Sequence, residues 1–327
     1  MVRKLKILLK GLIVRSKIYD LIQNSNSILL LTHIDPDGDA VGSVLAFYHY
    51  LKSINKDVSM VVLDIPKLFN FLPSINKIVD TTDREYDLGI VIDCATRDRI
   101  GQNGDIFSKC KNTVVVDHHI SNTNYGDLNY VQGEVSSCCQ VIYYLFKDWK
   151  INFSKEICES IITGVLTDTN GFGISSVDAD TFKLASEIKE LGIDIYDIYN
   201  KVLCKKTMPQ YNLMKIGMDR LEFLENRKIA FTYILESDFE KVDAIHGEHE
   251  GIVDIGRNID GVEVSIFIRE NDGWTISLRS TGVVDVSKIA LNIGGGGHKM
   301  ASGAKLQGTF DEVKFKIIDE TKKVMFE

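Results

Sequence analysis

The chain has 327 residues, 44% hydrophobic and 26% charged, with a net charge of −8. That is an ordinary globular composition, long enough for two domains that each bury a core. The acidic balance excludes an extended footprint on long or duplex nucleic acid, which demands a basic face, but not a short nucleotide held by a few arginines and a metal.

In chain order, MVRKLKILLKGLIVRSK (1–17) reads as a short amphipathic helix. Lys10 breaks its apolar stretch, no small-residue cleavage pattern follows, and nothing reaches membrane-spanning length, so a cytoplasmic protein with no membrane partner is expected. The runs SILLLTH (27–33), VSMVVLD (58–64), DLGIVID (87–93) and TVVVD (113–117) are short, β-branched and apolar on both faces, as strands of a helix-covered parallel sheet are. AVGSVLAFYHYLKSI, VSSCCQVIYYLFKDW, SKEICESIITGVLTDT and ADTFKLASEIKELG carry helical spacing, the last closed by Gly192. The six cysteines form no C-x-x-C pair, and adjacent Cys138 and Cys139 suit packing in a reducing compartment better than a disulfide framework. After about residue 205 the texture changes: RKIAFTYIL, VEVSIFIRE and GWTISLRS read as strands of a second, mixed sheet. The predicted fold is α/β, with an N-terminal doubly wound parallel sheet (1–192), a helical connector (193–214) and a smaller mixed-sheet α/β domain (215–327), the active site lying in the cleft between the two domains.

Ligands of open parallel sheets bind beyond the C-terminal strand ends. Three of the four candidate strands end in potential metal ligands: HIDPDGDAVGS supplies His33, Asp35, Asp37 and Asp39, the third strand Asp93, and the fourth Asp117, His118 and His119. Asp168, in GVLTDTNGF, follows an apolar helical segment and approaches from the side. Singly, each of these acids suits a turn or a helix cap. Together at one sheet edge they would repel and desolvate one another unless a cation sat among them. An oxygen and imidazole donor set without thiolate favours Mn²⁺ or Mg²⁺, and paired ions about 3.5–4 Å apart supply a nucleophile from water and clamp an in-line phosphoryl displacement. The inferred reaction is hydrolysis of a phosphate ester.

In the second half, LNIGGGGHKMASGA (291–304) places four glycines before His298 and a helix-like KMAS, so an anion could be wrapped by backbone N–H groups and a helix N-terminus. Arg257 and Arg279 lie in or beside segments expected to face the same cleft, where guanidinium forks suit phosphate. HGEHEG (246–251) contains H-x-x-H but lacks the helical spacing of a metalloprotease motif and reads as an exposed polar loop between a helix and a strand.

HIDPDGDAVGS, VIDCATRDRIG, VVDHHISN and GVLTDTNGF resemble, in order, the four motifs of the DHH phosphoesterase superfamily. GVEVSIFIRE, SLRSTGVVDVSKIA and GGGGHKMASGA resemble its DHH-associated C-terminal domain, and the layout is most similar to the bifunctional nanoRNase and pAp phosphatase branch. The resemblance implies two Mn²⁺ ions, with Mg²⁺ or Co²⁺ as alternatives, held by His33, Asp37, Asp39, Asp93, His118 and Asp168, Asp93 being the bridge. It implies that His119 meets the scissile phosphate, that Asp117 orients the histidine pair, and that Arg99 touches phosphate. Arg257, Arg279, Gly295, Gly296 and His298 would hold the far end of the nucleotide, while Asp35 falls outside the pattern. The substrates implied are short RNA oligonucleotides and 3′-phosphoadenosine 5′-phosphate. The alternative is a phosphodiesterase for signalling dinucleotides (c-di-AMP, pApA, pGpG), and a homodimer is compatible with either.

Overall fold

The computed structural model describes residues 2–245 and 247–326, with side chains from Gly11 onward. The polar and apolar faces expected of residues 1–17 therefore lie mostly outside the described side chains, as does His246 of HGEHEG. The chain divides into two compact units, Met1–Lys205 and Lys206–Glu327.

Unit 1 opens with α1 (Val2–Asn24), a single long helix rather than the short one expected; Ile18 and Ile22, one turn apart, anchor it in the core. There follow β1 (Ser27–Leu31), α2 (Gly38–Ser53), β2 (Asp57–Val61), β3 (Leu88–Ile92), α3 (Gly104–Ser108), β4 (Asn112–Asp117) and β5 (Leu128–Val131). Helices α4 (Cys138–Asp148), α5 (Lys155–Asp168), α6 (Ala179–Glu190) and α7 (Ile195–Tyr199) complete the unit, with a π-helical turn at Asn200–Cys204. All five strands are parallel, in the order β2-β1-β3-β4-β5, so the chain reverses direction across the sheet at β1/β3.

Why the strands read as unbroken apolar runs is visible in how their residues divide. Ile28 and Leu30 of β1, Ile90 and Ile92 of β3, and Val114 and Val116 of β4 enter one core with α2, α4 and α5. The alternate residues Leu29, Leu31, Val91 and Val115 enter a second core on the opposite face. Period-2 geometry sends successive side chains to opposite faces, and both faces are dry. Helices α2 and α5 pack unusually close: a Cβ on Gly42 would lie 2.4 Å from the Ser160 carbonyl oxygen, and one on Gly164 would lie 2.6 Å from Asp39 Oδ1. Glycine at these two positions lets α5 press against the start of α2, where metal ligands were expected.

Unit 2 contains α8 (Met208–Asp219), β6 (Glu222–Leu224), β7 (Ile229–Ile234), α9 (Glu236–Lys241), α10 (Ile252–Arg257), β8 (Val264–Asn271), β9 (Gly273–Ser280), α11 (Val286–Asn292), β10 (Gly296–His298), β11 (Ala301–Leu306) and α12 (Phe310–Phe326). Its sheet runs β10-β11-β9-β8-β7-β6, with only β7 and β8 parallel, so the mixed character expected is observed. One face packs on α11 and α12 through Val286, Ile289, Val313 and Ile317; Ile234 and Phe267 turn to the other face, towards Leu213 of α8 and Ile252 of α10.

Two expectations for this unit are corrected. KMAS is not helical: Lys299 and Met300 form the turn of a hairpin, with Gly297 opposite Ser302 and His298 opposite Ala301. Pairing of β11 along its whole length with β9 overrides the helical preference of a few residues, so no helix N-terminus stands behind the glycines. HGEHEG leads into α10 rather than a strand, which puts Arg257 at a helix C-terminus.

Among the described residues, no helix is long and apolar enough to cross a membrane.

Candidate metal centre

The residues expected to hold metal come together at the C-terminal ends of β1, β3 and β4, joined by the last residue of α5. Asp37 is the N-cap of α2: its Oδ1 accepts the backbone N–H groups of Asp39 and Ala40, each at 3.0 Å, which leaves Oδ2 for a ligand. Asp39, buried in the first turn of that helix, accepts N–H groups from Cys138 at 2.5 Å and Cys139 at 2.9 Å. Asp93 follows β3 in a left-handed conformation (φ 56°), a region that aspartate and asparagine enter more readily than other non-glycine residues. It is 2% exposed, and its Oδ1 has no hydrogen-bond partner. An orphaned, buried carboxylate oxygen is costly unless a cation occupies the space beside it.

The histidines are set by their second nitrogens. His33 Nδ1 lies 2.8 Å from the Ile34 carbonyl oxygen, and His118 Nδ1 lies 3.1 Å from that of Val135. A carbonyl only accepts, so His118 carries its proton on Nδ1 and presents a lone pair at Nε2, whereas His33 Nδ1 is shared between the Ile34 carbonyl and the Arg99 guanidinium. His118 Nε2 sits 3.5 Å from Asp93 Oδ1, 3.6 Å from Asp168 Oδ2 and 3.8 Å from Asp39 Oδ2. His33 Nε2 is 3.9 Å from Asp93 Oδ2. Asp93 therefore turns one oxygen towards each histidine. Three groups of side chains have ligand atoms close enough to share an ion: His33, Asp37 and Asp93; Asp39, His118 and Asp168; and Asp93, His118 and His119.

His119 has a different partner. Its Nδ1 lies 2.8 Å from Asp117 Oδ1, and the same oxygen accepts the His118 N–H at 2.8 Å. Burial alone would raise the Asp117 carboxyl, but the bond to His119 and its charge, with a bond from Asn122, hold it below the usual carboxylate range. An ionised Asp117 can only accept, so His119 carries its proton on Nδ1 and its remaining chemistry lies at Nε2.

The electrostatics point to a cation. Burial pushes the Asp93 carboxyl well up, and Asp39, Asp37, Asp117 and Asp168 push it further. Burial likewise raises Asp39 and Asp168, the latter also feeling Asp39 and Asp37. The thiols of Cys138 and Cys139 are driven far above the normal cysteine value by burial and by these carboxylates, so they stay protonated and outside the donor set. What remains is imidazole and carboxylate, the donor set of Mg²⁺ and Mn²⁺ rather than of structural zinc.

Asp35 is exposed and left-handed (φ 53°) and belongs to none of the three groups. Arg99 reaches back to the first motif: its Nη2 is 3.2 Å from His33 Nδ1 and 3.4 Å from the Ile34 carbonyl oxygen, and its own carbonyl accepts the Ile34 N–H at 2.8 Å. Two residues without a role in the sequence reading also build the site. Asn122 donates to Asp117 Oδ2 at 2.6 Å and to the Cys94 carbonyl at 3.1 Å, tying the loop of His118 and His119 to the residue after Asp93. Gly164 makes room for Asp39. Both lie inside quoted motifs, but nothing in an asparagine or a helical glycine announces such a contact.

In unit 2, strand register places Ser265, Arg279, Ala301 and His298 directly opposite one another across β8, β9, β11 and β10, hence on one face of the sheet. Ser265 donates to the Val253 carbonyl oxygen of α10, so this is the face that carries Arg257. Arg257 Nη2 lies 3.1 Å and Arg279 Nε 4.0 Å from the same oxygen of Asp254. Burial presses Arg279 below its ordinary value, opposed by Asp254 and reinforced by Arg257. A Cβ on Gly295 would lie 2.1 Å from the Gly303 carbonyl oxygen, whereas one on Gly296 would meet nothing within 4 Å. Packing alone demands glycine at 295; at 296 it does not.

The chain matches the DHH family, N-terminal domain, over residues 27–167 and the DHHA1 domain over residues 226–325. It is 29% identical over 286 residues to the bifunctional oligoribonuclease and PAP phosphatase NrnA of Thermus thermophilus, covering 86% of this chain and 84% of that protein. The protein of the same name from Bacillus subtilis is 28% identical over 291 residues, covering 86% and 90%. Among solved structures, an exopolyphosphatase-related protein from Bacteroides fragilis superposes with a TM-score of 0.88 at 28% identity, covering 95% of this chain and 96% of that one.

Proposed function

We propose that this chain, which belongs to the DHH family of phosphoesterases, hydrolyses short oligoribonucleotides and 3′-phosphoadenosine 5′-phosphate with the help of two divalent ions, Mn²⁺ above all. The observation that carries the two-ion reading is Asp93, a buried carboxylate with one oxygen towards His33, the other towards His118, and no hydrogen bond to the second. His33, Asp37 and Asp93 would hold one ion; Asp39, His118, Asp168 and the other oxygen of Asp93 would hold the second. When bound, the ions supply activated water at neutral pH and neutralise charge on the phosphoryl group.

The chain's own residues then have separate tasks. The Val135 carbonyl keeps His118 in the tautomer that offers Nε2, and the Ile34 carbonyl together with Arg99 orients the His33 ring through its Nδ1. Asp117, steadied by Asn122, holds the His119 ring so that Nε2 addresses a phosphoryl oxygen, and in its doubly protonated form that ring donates to it. Arg99 secures the loop of His33 and adds positive charge beside it. Arg257, Arg279, Gly295, Gly296 and His298 form the nucleotide-holding face of unit 2, where Asp254 keeps the two guanidinium groups side by side. The substrate class is supported by the Thermus and Bacillus relatives. Cytoplasmic action fits the thiols, unpaired and mostly buried.

The test is a side-by-side assay of purified protein with Mn²⁺ on diribonucleotides, 3′-phosphoadenosine 5′-phosphate, cyclic dinucleotides and pyrophosphate. Turnover of the first two, lost on chelation, is expected. Turnover of none overturns the reading, and cleavage of pyrophosphate alone overturns its nucleotide part.

A further inference from the structure

The segment that follows Asp168 is built in a way the metal site does not require. Asn170, Gly171 and Phe172 are all left-handed, at φ 47°, 66° and 69°. A bulky residue in that region is a true outlier and persists only where its surroundings enforce it. Here they do: the Gly171 N–H donates to the Leu166 carbonyl oxygen and the Gly173 N–H to that of Thr169, each at 2.8 Å, and the Phe172 N–H donates to Thr169 Oγ1 at 2.9 Å. The strain turns Phe172 out of the helix line four residues after a metal ligand. Its ring packs partly on the core and stacks on Phe182, with centroids 5.3 Å apart and planes at 27°. Phe182 lies in the first turn of α6, locked by the reciprocal bonds of Asp178 and Thr181, yet it is 55% exposed. Tyr199, 38% exposed, closes over Gly171, where a Cβ would sit 2.7 Å from its ring.

An exposed aromatic ring costs solvation and usually needs no explanation when it stands alone. This one is backed by a second ring, Phe172, which itself lies one short turn after Asp168, and both rings are fixed by capped or strained backbone. Stacking platforms for nucleic-acid bases have this form: a rigid, outward π-face beside the groups that handle phosphate, tolerant of base identity because every base has a π-face. The negative charge of the protein argues against binding here by backbone phosphates alone.

We infer that Phe182, supported by Phe172, is a platform in unit 1 on which a nucleobase next to the scissile phosphate stacks. The inference rests on the nucleotide reading of the metal site and assigns that site a base-recognition element of its own. It makes Phe182 a residue that sets substrate class, separating nucleotides from phosphodiesters that carry no base.

The experiment compares the diribonucleotide ApA with bis(p-nitrophenyl) phosphate, both with Mn²⁺. For Phe182→Ala, the ratio of kcat/KM between the two falls about tenfold or more, through KM for ApA. Phe182→Trp restores the ratio, whereas Phe182→Leu does not. An unchanged ratio in a Phe182→Ala protein that melts like the wild type overturns the platform. So does full rescue by Leu, which would reduce the site to apolar packing. Independently, adenosine 5′-monophosphate should quench the indole fluorescence of Phe182→Trp saturably. Phe315→Trp, at a position 73% exposed on α12, should show no saturable quenching, and equal quenching in both overturns the inference. If the wild type hydrolyses neither substrate, the reading of the metal site fails, and the quenching titration still decides the platform.

Discussion

Two buried aspartates, one in each unit, show opposite solutions to the same problem. Asp93 in unit 1 is 2% exposed and lacks a partner at Oδ1; burial pushes its pKa well up, and the surrounding carboxylates push it further. Asp238 in unit 2 is fully buried and completely satisfied: Arg220 engages both its oxygens, Lys241 lies 2.9 Å from Oδ1, and the Leu235 N–H donates at 2.8 Å. Burial alone would raise Asp238, but Arg220, the Leu235 amide and Lys241 bring it down to about 2. A charge whose protein supplies the counter-charge is structural. A charge left short of one is waiting for something the chain does not contain.

The largest effect expected from this difference is on activity. Asp37→Asn and Asp39→Asn should reduce Mn²⁺-dependent turnover to background, because an amide replaces an anionic ligand. At Asp39 it would also set an NH₂ group against the Cys138 or Cys139 N–H. Asp35→Asn should leave turnover nearly intact, since asparagine tolerates φ 53° and the side chain belongs to no ligand group. Loss of activity in the Asp35 variant would remove the distinction between ligand and bystander.

Next comes stability with and without metal. Saturating Mn²⁺ at about 100 times its Kd should stabilise the protein by about 2.7 kcal/mol, a rise of several degrees in Tm. Asp93→Asn should do the reverse of an ordinary buried substitution: the metal-free protein melts higher, because a repelling carboxylate is gone, while the Mn²⁺-dependent rise disappears. A lower metal-free Tm for this variant would mean that Asp93 is satisfied inside the protein.

Asp238 supplies the opposite control. Asp238→Asn should destabilise the protein by roughly 2–4 kcal/mol, since it strips Arg220 and Lys241 of their anion. The pH dependence follows from the same shift. A carboxyl lowered to about 2 in the folded state contributes stability that is full above its unfolded pKa, near 4, and is lost as pH falls through 2. The contribution is about 2 kcal/mol, so wild type and variant should converge in denaturant titrations as pH falls from 5 to 2. Curves that stay parallel would show that Asp238 titrates normally.

How much of this was legible in the chain also differs between the units. Unit 1 announced itself because β1, β3 and β4 are apolar on both faces and then run into His or Asp, so the alternation of Ile28 and Leu30 against Leu29 and Leu31 and the candidate ligand clusters are both written locally, whereas the half-polar edge strand β5 (LNYV) escaped the sequence reading. Asn122 and Gly164 were not, since their work is a hydrogen bond and an absence of volume that exist only after folding. In unit 2, KMAS misled because pairing of β11 with β9 depends on residues more than twenty positions away. Asp254 and Arg257 are an i, i+3 helix pair, but Arg279 joins them through a helix-to-sheet contact that no spacing reveals.

The smallest effects separate two glycines that the sequence presents as equivalent. Gly295→Ala should destabilise by about 1–3 kcal/mol, because the new Cβ would press on the Gly303 carbonyl and Ala304, backbone and side chain of a paired strand that cannot easily yield. Gly296→Ala meets open space and no left-handed φ, so its stability should stay within about 0.5 kcal/mol of the wild type. Any change in KM for a nucleotide in that second variant must then come from the ligand's approach to the β10 backbone, since the fold gives glycine no other reason to be there. A normal Tm with a raised KM for ApA would place Gly296 at the nucleotide. A normal Tm with an unchanged KM would confine unit 2's recognition to Arg279 and His298, which register sets on one face of the sheet, and to Arg257 of the helix packed on that face.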